Sequence, residues 1–241
     1  MLKVELHAHT GDDPCDHVTH SAHQLIDHAS ALGYDALAIT LHDRYYDPAA
    51  DRDYAAARRL LLIGGVKRTI AGRHVLLLNF PRECESVGDF ADVRRMKARH
   101  PHGLVVAPHA FYPIGTALRR EVERLDDVID AFEVNSMFTR WLNFNSRAVR
   151  WAAAHAKPLV GNTDLHLLSQ MGTTYSLVDA APDPDAICDA IRAGRVEVRS
   201  TALPAWRAAL FFGLMQLGGL IGRYRLARAV AARRAASRSP D

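Results

Sequence analysis

Histidine and aspartate are concentrated in one short stretch near the beginning of the chain. The segment ELHAHTGDDPCDH, residues 5–17, holds three histidines and three aspartates directly after an apolar run. Alternate side chains of an extended strand point the same way, so one ion can take both His7 and His9. Imidazole and carboxylate groups are ligands of zinc and similar ions. Alone, this spacing fits a metal site or an ordinary polar loop.

The same residue types recur where other apolar runs end. These residues are His42 in AITLHDR, His109 in VVAPHAF, and Asp164 and His166 in GNTDLH. His74 differs, because it opens the run HVLLLNF. Loops after the strands of an α/β barrel form one face, so these side chains are expected to converge there. Four strands that end in histidine, with Asp16 and Asp164 as carboxylates, predict a mixed nitrogen and oxygen site for Zn²⁺, Mn²⁺ or Fe²⁺.

The elements that carry these residues follow a βα pattern. Seven apolar runs are predicted strands: LKVEL (2–6), DALAIT (35–40), LLIGGV (61–66), HVLLLNF (74–80), GLVVAP (103–108), DAFEV (130–134) and PLVGN (158–162). Helices are predicted over 21–32, 49–60, 89–99 and 139–156, and a closing appendage over 173–200, with a helix at 184–193. Apolar strands that alternate with amphipathic segments indicate a largely parallel sheet, in a barrel or a doubly wound fold.

Charge divides the 241 residues into a body, residues 1–202, and a basic tail, residues 203–241. The tail holds seven of the 30 lysines and arginines but one of the 27 acids, so the body carries −3 and the tail +6. A slightly acidic body argues against nucleic-acid binding, except for a small nucleotide. Three scattered cysteines and an early polar segment favour a reducing, cytoplasmic location without a secretory signal.

The tail begins with a nearly apolar segment, AALFFGLMQLGGLIG, residues 208–222. Its fifteen residues fall short of the about 20 that span a bilayer. The flanking arginines are Arg207, Arg223, Arg225, Arg228, Arg233 and Arg234. This basic amphipathic element is expected to form a helix, with residues 203–235 lying on an anionic membrane surface, docking a partner, or packing across the body.

Six segments, in order, resemble the PHP (polymerase and histidinol phosphatase) family of metal-dependent phosphoesterases. They are ELHAHT, ALAITLHDR, GGV with GRHVLLLN, APHAFYP, FEVNS and GNTDLH, and they span about residues 3–200. The resemblance implies a distorted seven-stranded (βα)7 barrel with two or three metal ions at one mouth. It also implies hydrolysis of a small phosphorylated substrate, a phosphomonoester or a phosphodiester, by metal-activated water.

The resemblance also implies a set of ligands. It places His7, His9 and Asp164 at one metal, His74 and His109 at a second, and Asp16, His42 and His166 at a third. His42 or His166 is the expected proton donor to the leaving oxygen, and Arg44 the expected contact for substrate phosphate, with Arg140 as an alternative.

One position departs from the family pattern. Where the family has Gly-x-Glu, with a glutamate that bridges two metals, this chain has Gly65, Val66 and Lys67. Four outcomes are open: Lys67 points away, Lys67 is neutral, Glu83 or Glu85 replaces the missing carboxylate, or Lys67 is carbamylated. Two other functions remain open as well. One is a catalytically impaired PHP domain that acts as a binding or regulatory module, and the other is a metal-dependent amidohydrolase.

Overall fold

The structure is a computed structural model that describes residues 1–236, and ten strands in these residues form two separate five-stranded sheets. The first sheet has the order β10-β9-β1-β2-β3, with β1 Leu2–Ala8, β2 Ala36–Ile39, β3 Leu61–Ile63, β9 Thr174–Val178 and β10 Val196–Ser200. The second has the order β4-β5-β6-β7-β8, with β4 Gly65–Ile70, β5 Arg73–Leu78, β6 Leu104–Ala107, β7 Ala131–Asn135 and β8 Leu159–Asn162. All seven predicted strands and the two-stranded appendage are therefore present.

The predicted distorted (βα)7 barrel is not what these strands form, because both sheets are mixed and neither is closed. Strands β1, β2 and β3 are parallel, whereas β9 and β10 add in antiparallel fashion. In the second sheet β4, β5 and β6 are antiparallel, and β6, β7 and β8 are parallel. The fold is thus α/β, with isolated bridges linking the two sheets, such as His42 to Lys67.

Two turns explain the departure from a parallel barrel. The run LLIGGV divides at Gly64, where a Cβ would overlap the Tyr45 ring, and the chain passes from one sheet to the other. The second turn joins β4 to β5 through Ala71 and Gly72, both with positive φ (49° and 73°). Two consecutive left-handed residues form the tight connection of an antiparallel hairpin. Strand β5 therefore runs against β6, and His74 at its beginning meets the end of β6.

Six helices flank the sheets: α1 Ala22–Ala31, α2 Arg52–Ala56, α3 Phe90–Arg99, α4 Asn145–Ala154, α5 Pro184–Arg192 and α6 Ala205–Ala236. The predicted helix over 49–60 is shorter, a 3₁₀ turn followed by α2. The helix predicted over 139–156 begins at Asn145, because Thr139 Oγ1 accepts the amides of Trp141 and Leu142 in a turn. A capping box of Ser21 and Gln24 fixes the start of α1.

Apolar side chains of both sheets pack against one another and form the central core. Val4 and Leu6 of β1 contact a cluster that includes Leu76, Leu78 and Val106 of the second sheet, all fully buried. Burial of such side chains contributes about 1.5–3 kcal/mol each. This core holds the strand ends rigidly, and they meet at one edge of the molecule.

Helix α6 is longer than the apolar segment suggested. Residues Ala205–Gly222 are long and apolar enough to cross a membrane by length and composition, and only 11% of that window is buried. The prediction of a basic tail also relied on Arg223, Arg233 and Arg234. Their side chains lie outside the part of α6 that the structure describes.

Candidate metal centre

The predicted ligands lie together at the edge where β1, β2, β6 and β8 end. His7 and His9 are fully buried at the end of β1, and Asp164 follows β8. Asp164 Oδ1 lies 2.9 Å from His7 Nε2 and 3.3 Å from His9 Nε2. A single cation can contact all three groups, because their ligand atoms lie within 4.8 Å of one another. The alternation of side chains along β1 thus pairs His7 and His9 as expected.

Each of these histidines is held by a carboxylate on its other nitrogen. His7 Nδ1 lies 2.6 Å from Glu133 Oε2, and His9 Nδ1 lies 2.7 Å from Asp13 Oδ2. Asp13 also bonds His42 Nδ1 at 3.0 Å and accepts the His42 backbone amide. Carboxylates in this position fix the ring orientation and leave Nε2 free for an ion.

Sequence reasoning missed Asp13 and Glu133 as the carboxylates that hold these histidines. Asp13 stands four residues after His9, beside Asp12, and that spacing alone does not show which aspartate turns inward. Glu133 alternates with Asn135 on β7, and both are buried. For Glu133 the sequence offered one signal. A carboxylate in the strand segment FEVN needs a partner, because an unpaired buried charge is costly.

The third predicted group lies at the rim. His166 Nε2 lies 2.9 Å from Asp16 Oδ2, and His42 Nδ1 lies 3.8 Å from the same oxygen. The His9 ring stacks between them, with centroids 4.6 Å from His42 and 4.4 Å from His166. The side chains of His42 and His166 are each 9% exposed, so both can be reached from solvent.

The second predicted pair differs, because within residues 1–236 no carboxylate bonds either imidazole ring. The rings of His74 and His109 lie 5.7 Å apart, and His42 is 5.3 Å from His74. The antiparallel course of β5 explains why His74 reaches the site from the start of a strand. Among the described residues, the groups of three ligands that could hold an ion do not include either histidine.

Lys67 points into the cluster. Its Nζ donates to Asp164 Oδ1 at 3.0 Å, and its side chain is 3% exposed. The backbone fixes this position, because the Lys67 amide donates to the Leu41 carbonyl and its carbonyl accepts from the Asp43 amide. The outcome in which Lys67 points away is therefore wrong.

Neither neighbouring glutamate takes the bridging position. Glu85 Oε2 accepts the Tyr45 amide at 2.7 Å, away from the histidines, and Glu83 is exposed. Arg44 is also exposed, and its Nη1 donates to the Asp12 carbonyl at 3.2 Å. The structure brings the predicted histidines and aspartates together but leaves Arg44 at the surface beside them, and Arg140 is exposed too.

The charges around the cluster set distinct protonation states. Burial, together with the charges of His166 and Lys67, lowers the pKa of His9 to about 4, and burial and Lys67 lower the pKa of His109 to about 3. Burial also tends to lower the pKa of His7, but the Asp164 and Glu133 carboxylates overcome it and raise the pKa to about 9. Burial of Asp164 tends to raise its pKa, but the charges of His7 and Lys67 hold this pKa well below its usual range.

Two buried ring nitrogens test whether the residues fit a metal. Among the described residues, His74 Nδ1 and His109 Nδ1 have no hydrogen-bond partner, whereas His7 Nε2 and His9 Nε2 face Asp164 Oδ1. Leaving a buried polar atom unpaired costs about 1–3 kcal/mol, so native proteins rarely do so without a ligand. The nitrogen and carboxylate donors at His7, His9 and Asp164 fit a divalent transition metal, with the Lys67 ammonium as a competitor for Asp164. The fit at His74 and His109 is incomplete.

Comparison with known proteins gives the same family as the motifs. A family model described as PHP-associated matches residues 143–196, which include Asp164 and His166. A two-domain protein from Bacteroides vulgatus, containing a predicted PHP-like metal-dependent phosphoesterase, is similar in structure, with a TM-score of 0.64 and 20% identity. The match covers 83% of this chain and 64% of that one, so the chain spans less than two thirds of that protein.

Two further solved structures share the fold. PsfC from Pseudomonas syringae has a TM-score of 0.60 at 17% identity, covering 92% of this chain and 98% of that one. The lesion-specific endonuclease PfuEndoQ from Pyrococcus furiosus has a TM-score of 0.52 at 16% identity, covering 82% and 57%. No curated protein matches the chain. These comparisons confirm the resemblance to the PHP family, and the chain has the fold of PHP-like proteins.

Proposed function

We propose that the protein is a metal-dependent hydrolase that acts on a small phosphorylated substrate, either a phosphomonoester or a phosphodiester. The observation that carries this proposal is the convergence of His7, His9 and Asp164, whose ligand atoms lie within 4.8 Å of one another. The fold and the PHP-associated segment support it. When bound, divalent transition metals such as Zn²⁺, Mn²⁺ or Fe²⁺ activate water and neutralise charge that develops on phosphorus.

The residues of the chain divide into holding, orienting and proton-transfer roles. His7, His9 and Asp164 hold an ion, whereas Asp13 and Glu133 orient the imidazoles. His166 Nε2 donates to Asp16 Oδ2, since an ionised carboxylate only accepts. A proton held there, at a solvent-accessible rim, is available to a leaving oxygen, and His42 Nδ1 is held in the same manner by Asp13.

The second candidate function is a catalytically impaired domain that binds ligands or regulates a partner. The Lys67–Asp164 ion pair favours it. Two unit charges about 4 Å apart interact by about 4 kcal/mol at an effective dielectric constant near 20, and a divalent ion doubles that repulsion. A protonated Lys67 therefore weakens metal binding between the two halves of the cluster. A carbamylated Lys67 would instead supply a carboxylate, as expected of the amidohydrolase alternative.

The test combines metal analysis with hydrolysis assays on the full chain. Protein loaded with Zn²⁺ or Mn²⁺ is assayed with p-nitrophenyl phosphate, its bis-ester and a dihydropyrimidine-type amide. We expect ester turnover that is lost in His9→Ala and retained in His155→Ala, a histidine outside the cluster. Metal binding without any turnover supports the impaired domain, and turnover of the amide alone supports the amidohydrolase. Intact mass separates free from carbamylated Lys67.

The cellular location is a proposal of the same kind. Cys15, Cys84 and Cys188 are all free, and the last two are buried. Unpaired cysteines suit a reducing compartment. We therefore place the body in the cytoplasm, with the membrane face of that compartment available to α6.

A further inference from the structure

A cavity lined by arginines lies between the start of β5, the loop after β6 and helix α4. It measures about 520 Å³, within the range of about 300–1,000 Å³ that small-molecule sites occupy. Its lining includes four arginines, two phenylalanines and one acid: Arg73, Arg119, Arg120, Arg147, Phe111, Phe144 and Glu121. None of the four arginines has a carboxylate within 4.0 Å among the described residues. The cavity therefore concentrates positive charge that the protein itself leaves unpaired.

Several of these arginines are held in place by contacts that leave donors free. Arg73 Nη1 donates to the carbonyls of Gly115 and Ala117, at 2.6 and 3.0 Å. Arg119 Nε donates to the Tyr112 carbonyl at 3.3 Å, and the Arg147 guanidinium lies 4.7 Å above the Phe111 ring. A guanidinium has five N–H donors, so each arginine keeps several for a ligand. Such a preorganised fork suits phosphate and carboxylate groups.

The buried Tyr112 side chain separates the cavity from the cluster. The Tyr112 ring lies 6.4 Å from the His109 ring on one side and 5.3 Å from the Phe144 ring on the other. Arg73 and His74 are consecutive residues of β5, so their side chains point to opposite faces of the strand. The cavity is therefore a site of its own, apart from the histidines.

We propose that this cavity is a second binding site, apart from the metal cluster, for a small molecule that carries two or more phosphate or carboxylate groups. The phenylalanines provide an apolar wall for the uncharged part of such a molecule. The charge pattern selects against neutral alcohols.

The test measures binding of inorganic pyrophosphate to the metal-free full chain by calorimetry in EDTA. The variants are Arg120→Gln and Arg147→Gln, and the matched control is Arg150→Gln, one turn along α4 and outside the cavity. We expect each cavity variant to weaken binding about tenfold, as the loss of a charge-assisted contact does, and the control to leave it unchanged. Equal affinity in all proteins, or an equal loss in the control, overturns the proposal.

Because EDTA removes the metal, this result is independent of catalysis. Binding without hydrolysis retains the anion site and rejects the phosphoesterase. Hydrolysis of nitrophenyl phosphate without pyrophosphate binding retains the phosphoesterase and rejects the anion site.

A second observation concerns α6. One side of the helix packs on the loop that carries Asp16: Phe211 is buried, the Gly218 carbonyl accepts the His17 amide at 3.1 Å, and a Cβ on Gly222 would overlap the Cys15 carbonyl. The opposite side is an apolar stripe that is at least 50% exposed at every position: Trp206, Leu210, Leu217, Leu220 and Tyr224. The spacing of these residues places them on one face.

Charge indicates what covers this stripe. Helix α6 contains six arginines and no acidic residue. Two copies of it would place arginines side by side without the acidic partners that stabilise paired helices. Anionic headgroups supply that charge, and a stripe of Trp, Leu and Tyr side chains suits a helix that lies in a membrane interface.

We infer that α6 lies flat on an anionic membrane surface through this stripe, while its other face remains packed on the Asp16 loop. The test is co-sedimentation of the full chain with phosphatidylcholine vesicles that contain or lack phosphatidylserine. We expect salt-sensitive binding to the anionic vesicles only, reduced about tenfold or more by Leu217→Glu. The control Val149→Glu changes an exposed residue of α4 and should bind normally.

Three results overturn this inference. They are equal binding by the wild type and Leu217→Glu, membrane association that salt cannot reverse, as in a spanning helix, and a lipid-independent dimer that Leu217→Glu dissociates.

Discussion

The two halves of the histidine cluster differ in their carboxylates. Around His7 and His9, each imidazole has an acid on one nitrogen and Asp164 near the other. Around His74 and His109, burial lowers the pKa of both rings, and the ammonium of Lys67 lowers it further. The cluster therefore has two unlike halves. The half with His7 and His9 carries negative charge that attracts a cation, whereas Lys67 repels a cation from the half with His74 and His109.

This difference shows that histidine count does not determine metal number. An imidazole is neutral, so it contributes a lone pair but no charge to offset a divalent ion. The carboxylates provide that charge and orient the rings. We expect the half with His7 and His9 to bind metal first and more tightly.

The largest effect should follow Asp164→Asn. This change removes the carboxylate shared by His7, His9 and Lys67, and leaves a buried ammonium without a partner. Metal affinity should fall by more than the roughly 10–100-fold cost of losing an outer partner. Isothermal titration with Zn²⁺ measures it, and Asp127→Asn, at an exposed ion pair, is the control. An unchanged affinity would place the metal elsewhere, provided that thermal melting shows a folded variant.

A smaller loss is expected from Glu133→Gln. Glutamine keeps the size of the side chain but removes the charge that holds the His7 ring at 2.6 Å. Affinity should fall by about 10–100-fold, as for other outer-partner changes. The same titration tests it. A variant that binds metal as the wild type does would show that Glu133 serves only the core.

Lys67→Glu should strengthen binding in the weaker half. The substitution replaces a repelling charge with an attracting one beside His74 and His109, and binding there should improve by at least about tenfold. Lys67→Met removes the ammonium without adding a carboxylate, so its metal affinity should lie between those of the wild type and Lys67→Glu. Elemental analysis after dialysis reports the gain, and equal metal content in all three proteins would contradict the role assigned to Lys67.

The pH dependence should be the mildest effect. In the metal-free protein the pKa of His7 is raised to about 9, so binding must displace its proton at neutral pH. Affinity should therefore increase as pH rises from 7 towards 9, by at most about tenfold per pH unit for one proton. His9, with its pKa lowered to about 4, is already neutral and adds nothing in this range. A flat profile would mean that His7 is not a ligand.

The sequence predicted the strands and the residues at their ends because those signals are local. Apolar runs define β1, β2, β6 and β8, and polar residues follow each of them. His74 was harder to place, since its position depends on the Ala71–Gly72 hairpin that reverses β5. Pairings between distant residues left no local trace. Asp13 with His42, Glu133 with His7, and Lys67 with Asp164 all join separate segments.

Helix α6 also differs from its prediction, in length and in the side that packs on the body. The apolar segment 208–222 was visible, but the helix that contains it runs from Ala205 to Ala236 and uses glycines to approach the Asp16 loop. Composition indicates apolar character without showing which side of a helix is covered. The arginine cavity was missed for a related reason, because its residues come from β5, the loop after β6 and α4.

Anomalous diffraction at the zinc edge, from crystals grown with Zn²⁺, tests the central claim most directly. We expect the strongest anomalous peak between His7 Nε2, His9 Nε2 and Asp164, with Lys67 Nζ displaced from Asp164 Oδ1. A peak only at His74 and His109, or no peak while the Lys67–Asp164 ion pair remains intact, would contradict it.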